Sequence, residues 1–142
     1  MNTMKKISTC AAVCGLLAFL VLPVAAMHHE VKIAEPSGLG KYLTDTQGMA
    51  LYMFKQDSPG HSACSGGCVA NWPLFYREKV VPPKGLASDD FGTISREDGA
   101  MQTTFRGYPL YYFKEDKKPG DTKGNGMMDV WYLIDPDDFP SE

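Results

Sequence analysis

Two cysteines, Cys64 and Cys68, stand beside His61 and Ser62, and two histidines, His28 and His29, follow Ala26 near the front of the chain. These are the residue types equipped for redox, nucleophilic or metal chemistry. The cysteines are separated by Ser65-Gly-Gly67, whereas dithiol oxidoreductases favour two intervening residues in an α/β setting. In an oxidising compartment the pair predicts a structural disulfide, and a bridge across so short a loop shapes one turn more than it stabilises the chain. A redox-active couple is the alternative. His61 and Ser62 are adjacent, with Asp57 close by in sequence, so a base and nucleophile pairing depends on geometry. No nucleophile elbow, HExxH helix or phosphate loop accompanies them.

If a leader ends at Ala26, the new amino terminus reads Met27-His28-His29; if it ends at Ala25, it reads Ala26-Met27-His28. Either cut puts histidine third. A free amine, two amide nitrogens and that imidazole form a square-planar set suited to Cu(II) or Ni(II), so copper is the cofactor to test, with His28 and His29 as its ligands. Met27, Met49, Met53, Met101, Met127 and Met128 add soft sulfur but no motif spacing. Asp121 to Gly126 with Asp129 imitates a calcium loop, yet Lys123 takes a ligand position and Tyr132 replaces the bidentate glutamate. Attached haem fails because Val69, not histidine, follows Cys68, and zinc would find only His61 near the two cysteines.

The strongest pattern is a motif written twice, Tyr52-Met-Phe54-Lys-Gln-Asp57 and Tyr111-Tyr-Phe113-Lys-Glu-Asp116. A shift of 59 residues superimposes both, and carries Gly48 onto Gly107, Leu51 onto Leu110, Gly67 onto Gly126 and Trp72 onto Trp131. On a strand, Tyr52 and Phe54 share a face, as do Tyr111 and Phe113. The expectation is that these aromatic pairs, with both tryptophans, form the centre between the two units. Asp57 and Asp116 then hydrogen-bond the turn after each strand. An aromatic ligand groove or electron conduit is the competing reading, and it requires partly exposed rings.

The elements that must place these residues read as strands. Lys41-Tyr-Leu-Thr44 and Ala50-Leu-Tyr-Met-Phe54 flank a turn at Asp45 to Gly48, and Met101-Gln-Thr-Thr-Phe105 and Tyr108-Pro-Leu-Tyr-Tyr-Phe113 flank Arg106-Gly107. Residues 31–35, 91–96 and 130–134 supply further short runs bounded by Gly, Pro or Asp. Helix is confined to a turn or two from Gly66 to Asn71, ended by Pro73. The fold class expected is mainly β, a small single domain of two similar hairpin-containing repeats related by a pseudo-twofold, with little helix.

Residues 1–26 have the basic start, apolar run and small-residue exit of a signal peptide, with an uncleaved anchor as the alternative. The remainder divides into an N-terminal segment 27–37, a first repeat 38–78, a linker 79–90, a second repeat 91–134 and an acidic tail 135–142. Without the leader's Lys5 and Lys6, the 14 basic residues fall to 12 against 17 acidic ones, a net charge of −5. That balance argues against nucleic acid, which demands a clustered basic face. No stable membrane span is expected in the mature chain.

The motif resembles that of a bacterial family of predicted lipoproteins described as a secreted repeat of unknown function, whose hallmark is Tyr, any residue, an aromatic, two residues and Asp. The surroundings are similar too: Ser62-Ala-Cys64-Ser-Gly-Gly-Cys68 with Asn71-Trp72-Pro73, and Pro119-Gly-Asp-Thr-Lys-Gly-Asn-Gly126 with Val130-Trp131. The resemblance covers about residues 38–134 and implies a secreted protein, but no activity. The lipid-bearing cysteine of a lipoprotein is missing, since Cys14 lies inside the apolar run. Together these readings predict a non-enzymatic binding module of unknown ligand, periplasmic or extracellular, whose partner is that ligand or an envelope protein. A copper-handling or redox-associated protein is the alternative, and a hydrolase stands third.

Overall fold

The computed structural model describes residues 30–140. Strands β1 (Val31–Ala34) and β2 (Tyr42–Asp45) pair antiparallel, with Val31 opposite Asp45 and Ala34 opposite Tyr42. Asp45 then makes the turn itself. Its Oδ1 accepts from Gln47 N and Met49 N, each at 2.9 Å, and Gly48 supplies the positive φ of 88° that closes it. The chain returns along β2, Leu51 N donating to Leu43 O at 2.9 Å, and enters β3 (Tyr52–Phe54). Helix α1 (Gly67–Asn71) follows, ending at Trp72 with φ −123° because Pro73 disfavours the helical region there. A 3-10 turn at Ser88–Asp90 leads into β4 (Phe91–Ser95), β5 (Met101–Phe105) and β6 (Tyr108–Pro109). These three form one antiparallel sheet in the order β4-β5-β6. The last strand, β7 (Trp131–Leu133), pairs with β3, Tyr52 opposite Leu133 and Phe54 opposite Trp131.

The protein is therefore mainly β and built of hairpins, as the residue pattern predicts. The expected runs 31–35, 91–96 and 130–134 lose one or two residues, and two further strands are also shorter than expected. Residues 50–54 reduce to β3 and residues 108–113 to β6, because Ala50 bridges only Thr44 and the segment after Pro109 leaves its hairpin to bond elsewhere.

Where that segment goes explains the duplication. Tyr52 N donates to Tyr111 O at 2.9 Å and Tyr111 N to Tyr52 O at 3.1 Å, so the two motif strands meet at their tyrosines. Each then pairs with the closing strand of the other copy. Lys55 N donates to Val130 O at 2.8 Å, and its counterpart Lys114 N donates to Asn71 O at 3.0 Å. The turns are exchanged in the same way. Gly60 N bonds Gly107 O, and Gly120 N bonds Gly48 O. Gly48 and Gly107 both have φ near 90° and both lie against a proline of the other unit, Pro119 and Pro59, with 3.1 Å to a hypothetical Cβ in each case. A pseudo-twofold axis thus runs between Tyr52 and Tyr111.

Alternation along residues 51–54, which include β3, feeds two cores, as period-two geometry requires. Tyr52 and Phe54 join Tyr42, Ala50, Cys64, Trp72, Tyr111, Phe113 and Trp131 in one cluster. Leu51 joins Val31, Leu43, Phe75, Phe105, Leu110, Ile134 and Phe139 in the other. Phe139 brings the acidic tail into this second core, where Arg106 anchors it by donating from Nη1 to the carbonyls of Pro136 and Phe139.

Candidate functional site

The motif residues converge on the pseudo-twofold axis. Trp72 and Trp131 stack face to face with ring centroids 3.8 Å apart and planes 5° off parallel. Phe54 caps Trp131 at 4.2 Å, and Phe113 caps Trp72 at 4.3 Å. The result is a column of four rings in which each phenylalanine covers the tryptophan of the other repeat. Tyr52 and Tyr111 stand edge-on against it, at 5.4 Å from Trp72 and 5.1 Å from Trp131. None of the six rings exceeds 8% exposure. They are closed to solvent, so no aromatic groove opens along the motif. Gly124 admits the column's edge: a Cβ there would stand 2.7 Å from Trp72 Cη2 and 3.0 Å from Tyr52 Cε1.

The acids of the motif also work across the axis, a pairing that spacing alone did not reveal. Tyr52 OH donates to Asp116 Oδ2 at 2.6 Å, and Tyr111 OH donates to Asp57 Oδ2 at 2.7 Å. The second oxygen of each acid holds its own turn, Asp57 Oδ1 accepting from Ala63 N at 2.7 Å and Asp116 Oδ1 from Lys123 N at 2.9 Å. Burial raises both phenols well above their ordinary value, helped by the facing carboxylates. Burial also raises Asp57, against the pull of the Ala63 amide, Tyr111 and Arg96.

Here the symmetry ends. Tyr111 OH lies 2.6 Å from Ser62 Oγ, and since the single phenol proton goes to Asp57, Ser62 is the donor of that contact. Ser62 Oγ in turn accepts from Arg96 Nη1 at 2.7 Å and from Cys64 N at 3.2 Å. Arg96 also donates from Nη1 to Gln102 Oε1 at 2.6 Å and from Nη2 to the carbonyl of Cys64. Gln102 passes the connection on to Leu110 O at 2.8 Å. Position 37, which the 59-residue shift aligns with Arg96, is Ser37. The chain Arg96–Ser62–Tyr111–Asp57, drawn from both repeats, therefore stands on one side of the axis only.

This network floors a pocket of about 330 Å³ walled by His61, Ser62, Ser65, Ser95, Glu97 and Asp98 among others. Both lone pairs and the proton of Ser62 are engaged, which leaves its oxygen unready for nucleophilic attack. None of its partners is His61. Behind the pocket, Cys64 and Cys68 form a disulfide, the bridge expected from their spacing and compartment. Cys64 is fully buried against the ring column while α1 carries Cys68.

His28 and His29 lie outside the described residues, so the copper reading rests on sequence alone. Among the described residues no group of three or more His, Cys, Asp or Glu is placed to hold a metal ion. In the loop likened to a calcium site, Asp121 Oδ2 is taken by the amides of Lys117 and Lys118 and Asn125 Oδ1 by Leu133 N. Arg96 and Gln102 are the residues that sequence reasoning missed. A lone arginine breaking a polar hairpin turn, unmatched in the other copy, was the available signal.

Comparison with known proteins agrees with this duplicated architecture. A family described as a secreted repeat of unknown function matches residues 36–75 and 92–135, and the chain belongs to that family. No curated protein and no solved structure matches it. Among the described residues no helix is long and apolar enough to cross a membrane.

Proposed function

We propose that this secreted repeat is a non-enzymatic binding module acting in the periplasm or outside the cell, and that its ligand seat is the pocket over Arg96 and Ser62. The eight motif residues then serve as scaffold: Tyr52, Phe54, Asp57 and Trp72 with Tyr111, Phe113, Asp116 and Trp131. The observation that carries the reading is the break in symmetry. Tyrosine, acid, tryptophan and turn all have counterparts across the axis, whereas Arg96 and its links to Ser62 and Gln102 do not. Arg96, which the second repeat contributes to Ser62 of the first, is a buried arginine that the shared scaffold does not account for. At about 330 Å³ the pocket falls at the small end of ligand sites, which run from about 300 to 1,000 Å³.

The test is a ligand-observed NMR screen of polar small molecules against the wild type and Ser95→Trp. Ser95 is exposed on the pocket wall, so a large side chain there fills the seat without touching either core. Compounds that bind the wild type and lose contact with the filled variant support the seat. An absence of binders, or binders indifferent to the substitution, removes it.

A further inference from the structure

Resting on that seat, we propose that the pocket takes a small molecule bearing both a protonated amine and an oxygen acceptor, the chemistry shared by a free amino acid and an amino sugar. Two independent features point to the two ends of such a ligand. The first is Arg96 Nε. The arginine side chain is 5% exposed, it lines the pocket, and Nε is buried without a hydrogen-bond partner. The carboxylate of Asp98 forms a looser ion pair with it, Oδ2 standing 3.6 Å away, beyond hydrogen-bond reach. A buried donor left without an acceptor is destabilising, so the site favours a ligand that brings an oxygen.

The second feature is charge. Arg96 faces Asp57 through Ser62 and Tyr111, so its positive charge is already matched from behind. At the mouth stand two further carboxylates, Glu97 and Asp98. One oxygen of Asp98 is committed to its own turn, accepting from Ala100 N at 2.9 Å, and the other is free to leave Arg96. Glu97 is exposed. This excess of negative charge opposes a simple anion and favours an ammonium group. In the occupied state the ligand oxygen replaces Asp98 beside Arg96 Nε, and Asp98 turns outward with Glu97 to grip the amine. The exposed hydroxyls of Ser65 and Ser95 complete a wall suited to a hydroxylated or amide-bearing body.

The probes are L-alanine and glucosamine, each against its N-acetyl form, titrated into the exported protein while backbone amides are followed by NMR. The expected result is saturable shifts at Ser95 to Ala100 with at least one amine, absent with its acetylated counterpart and several-fold weaker in Glu97→Gln. Response to alanine alone assigns an amino acid, and response to glucosamine alone an amino sugar. Equal response to the acetylated forms, or none of those amides moving with either amine, overturns the amine class. A neutral compound that binds the wild type and is blocked by Ser95→Trp would keep the seat while discarding the amine.

Discussion

At the scale of single residues, the two tyrosine and aspartate pairs look equivalent but are embedded differently. Tyr52→Phe leaves Asp116 Oδ2 buried without its donor and frees the Gly124 amide, a 3.3 Å contact, whereas Tyr111→Phe does the same to Asp57 and releases Ser62, held at 2.6 Å. Each substitution is expected to cost about 1–3 kcal/mol in denaturant unfolding, with Tyr111→Phe the larger. Equal losses would mean that the link to Ser62 and Arg96 adds no more to the fold than the Gly124 contact does. The phenols also set an alkaline limit. Burial raises Tyr42, Tyr52, Tyr111 and Tyr112 above the ordinary 10.0, the last to about 12. Their contribution to stability is complete below pH 10 and is lost as pH rises through the folded-state values. Tyrosinate absorbance and circular dichroism should therefore change together above that pH, since these rings ionise mainly when the chain opens.

At the scale of elements, the loop carrying Lys123 to Gly126 is shaped by what it must clear. Gly124 lies against Trp72 and Tyr52 at distances that leave no room for a methyl group. Gly124→Ala is expected to lower stability by about 1–3 kcal/mol through overpacking, measured by thermal or denaturant unfolding. The near-ultraviolet dichroism of the stacked tryptophans should weaken with it, because their centroid separation of 3.8 Å depends on that fit. In the first repeat Ala63 bonds Asp57 as Lys123 bonds Asp116, and the residue that follows it is Cys64, fully buried in the same cluster and tied to Cys68. One repeat shapes its loop by omission of a side chain and the other by a covalent bridge.

For the whole molecule, strand exchange makes the repeats interdependent. The first repeat supplies β3 and takes β7 from the second, while residues 71–75 of the first lie along residues 110–114 of the second. Neither half can complete its sheet or cover its tryptophan alone. Fragments spanning 30–85 and 86–140 are expected to lack native dichroism separately and to recover it when mixed in equal amounts. A fragment that folds on its own would show that the exchange is incidental to stability. Every change at the axis is therefore felt by both copies, and the pocket, lined from both, adjoins the axis through Ser62 and Tyr111.

Much of this architecture is legible in the sequence, because duplication, strand period and glycine turns are local or periodic signals. The 59-residue shift, the facing of Tyr52 with Phe54, the helix ending before Pro73 and the Cys64–Cys68 bridge all follow from residue type and spacing. What spacing could not assign is which copy each side chain serves. A repeat aligns Tyr52 with Tyr111 and Asp57 with Asp116, yet only the folded chain reveals that each tyrosine reaches the other copy's acid. Nor could Arg96 announce itself, since its partners Ser62 and Cys64 lie over thirty residues upstream and no motif joins them. The sequence by itself determined that this protein is a doubled β unit with an aromatic motif. Tertiary structure decided that the motif is a shared, buried centre and that a pocket over Arg96 lies beside it, because burial and long-range partners are properties of the packed chain.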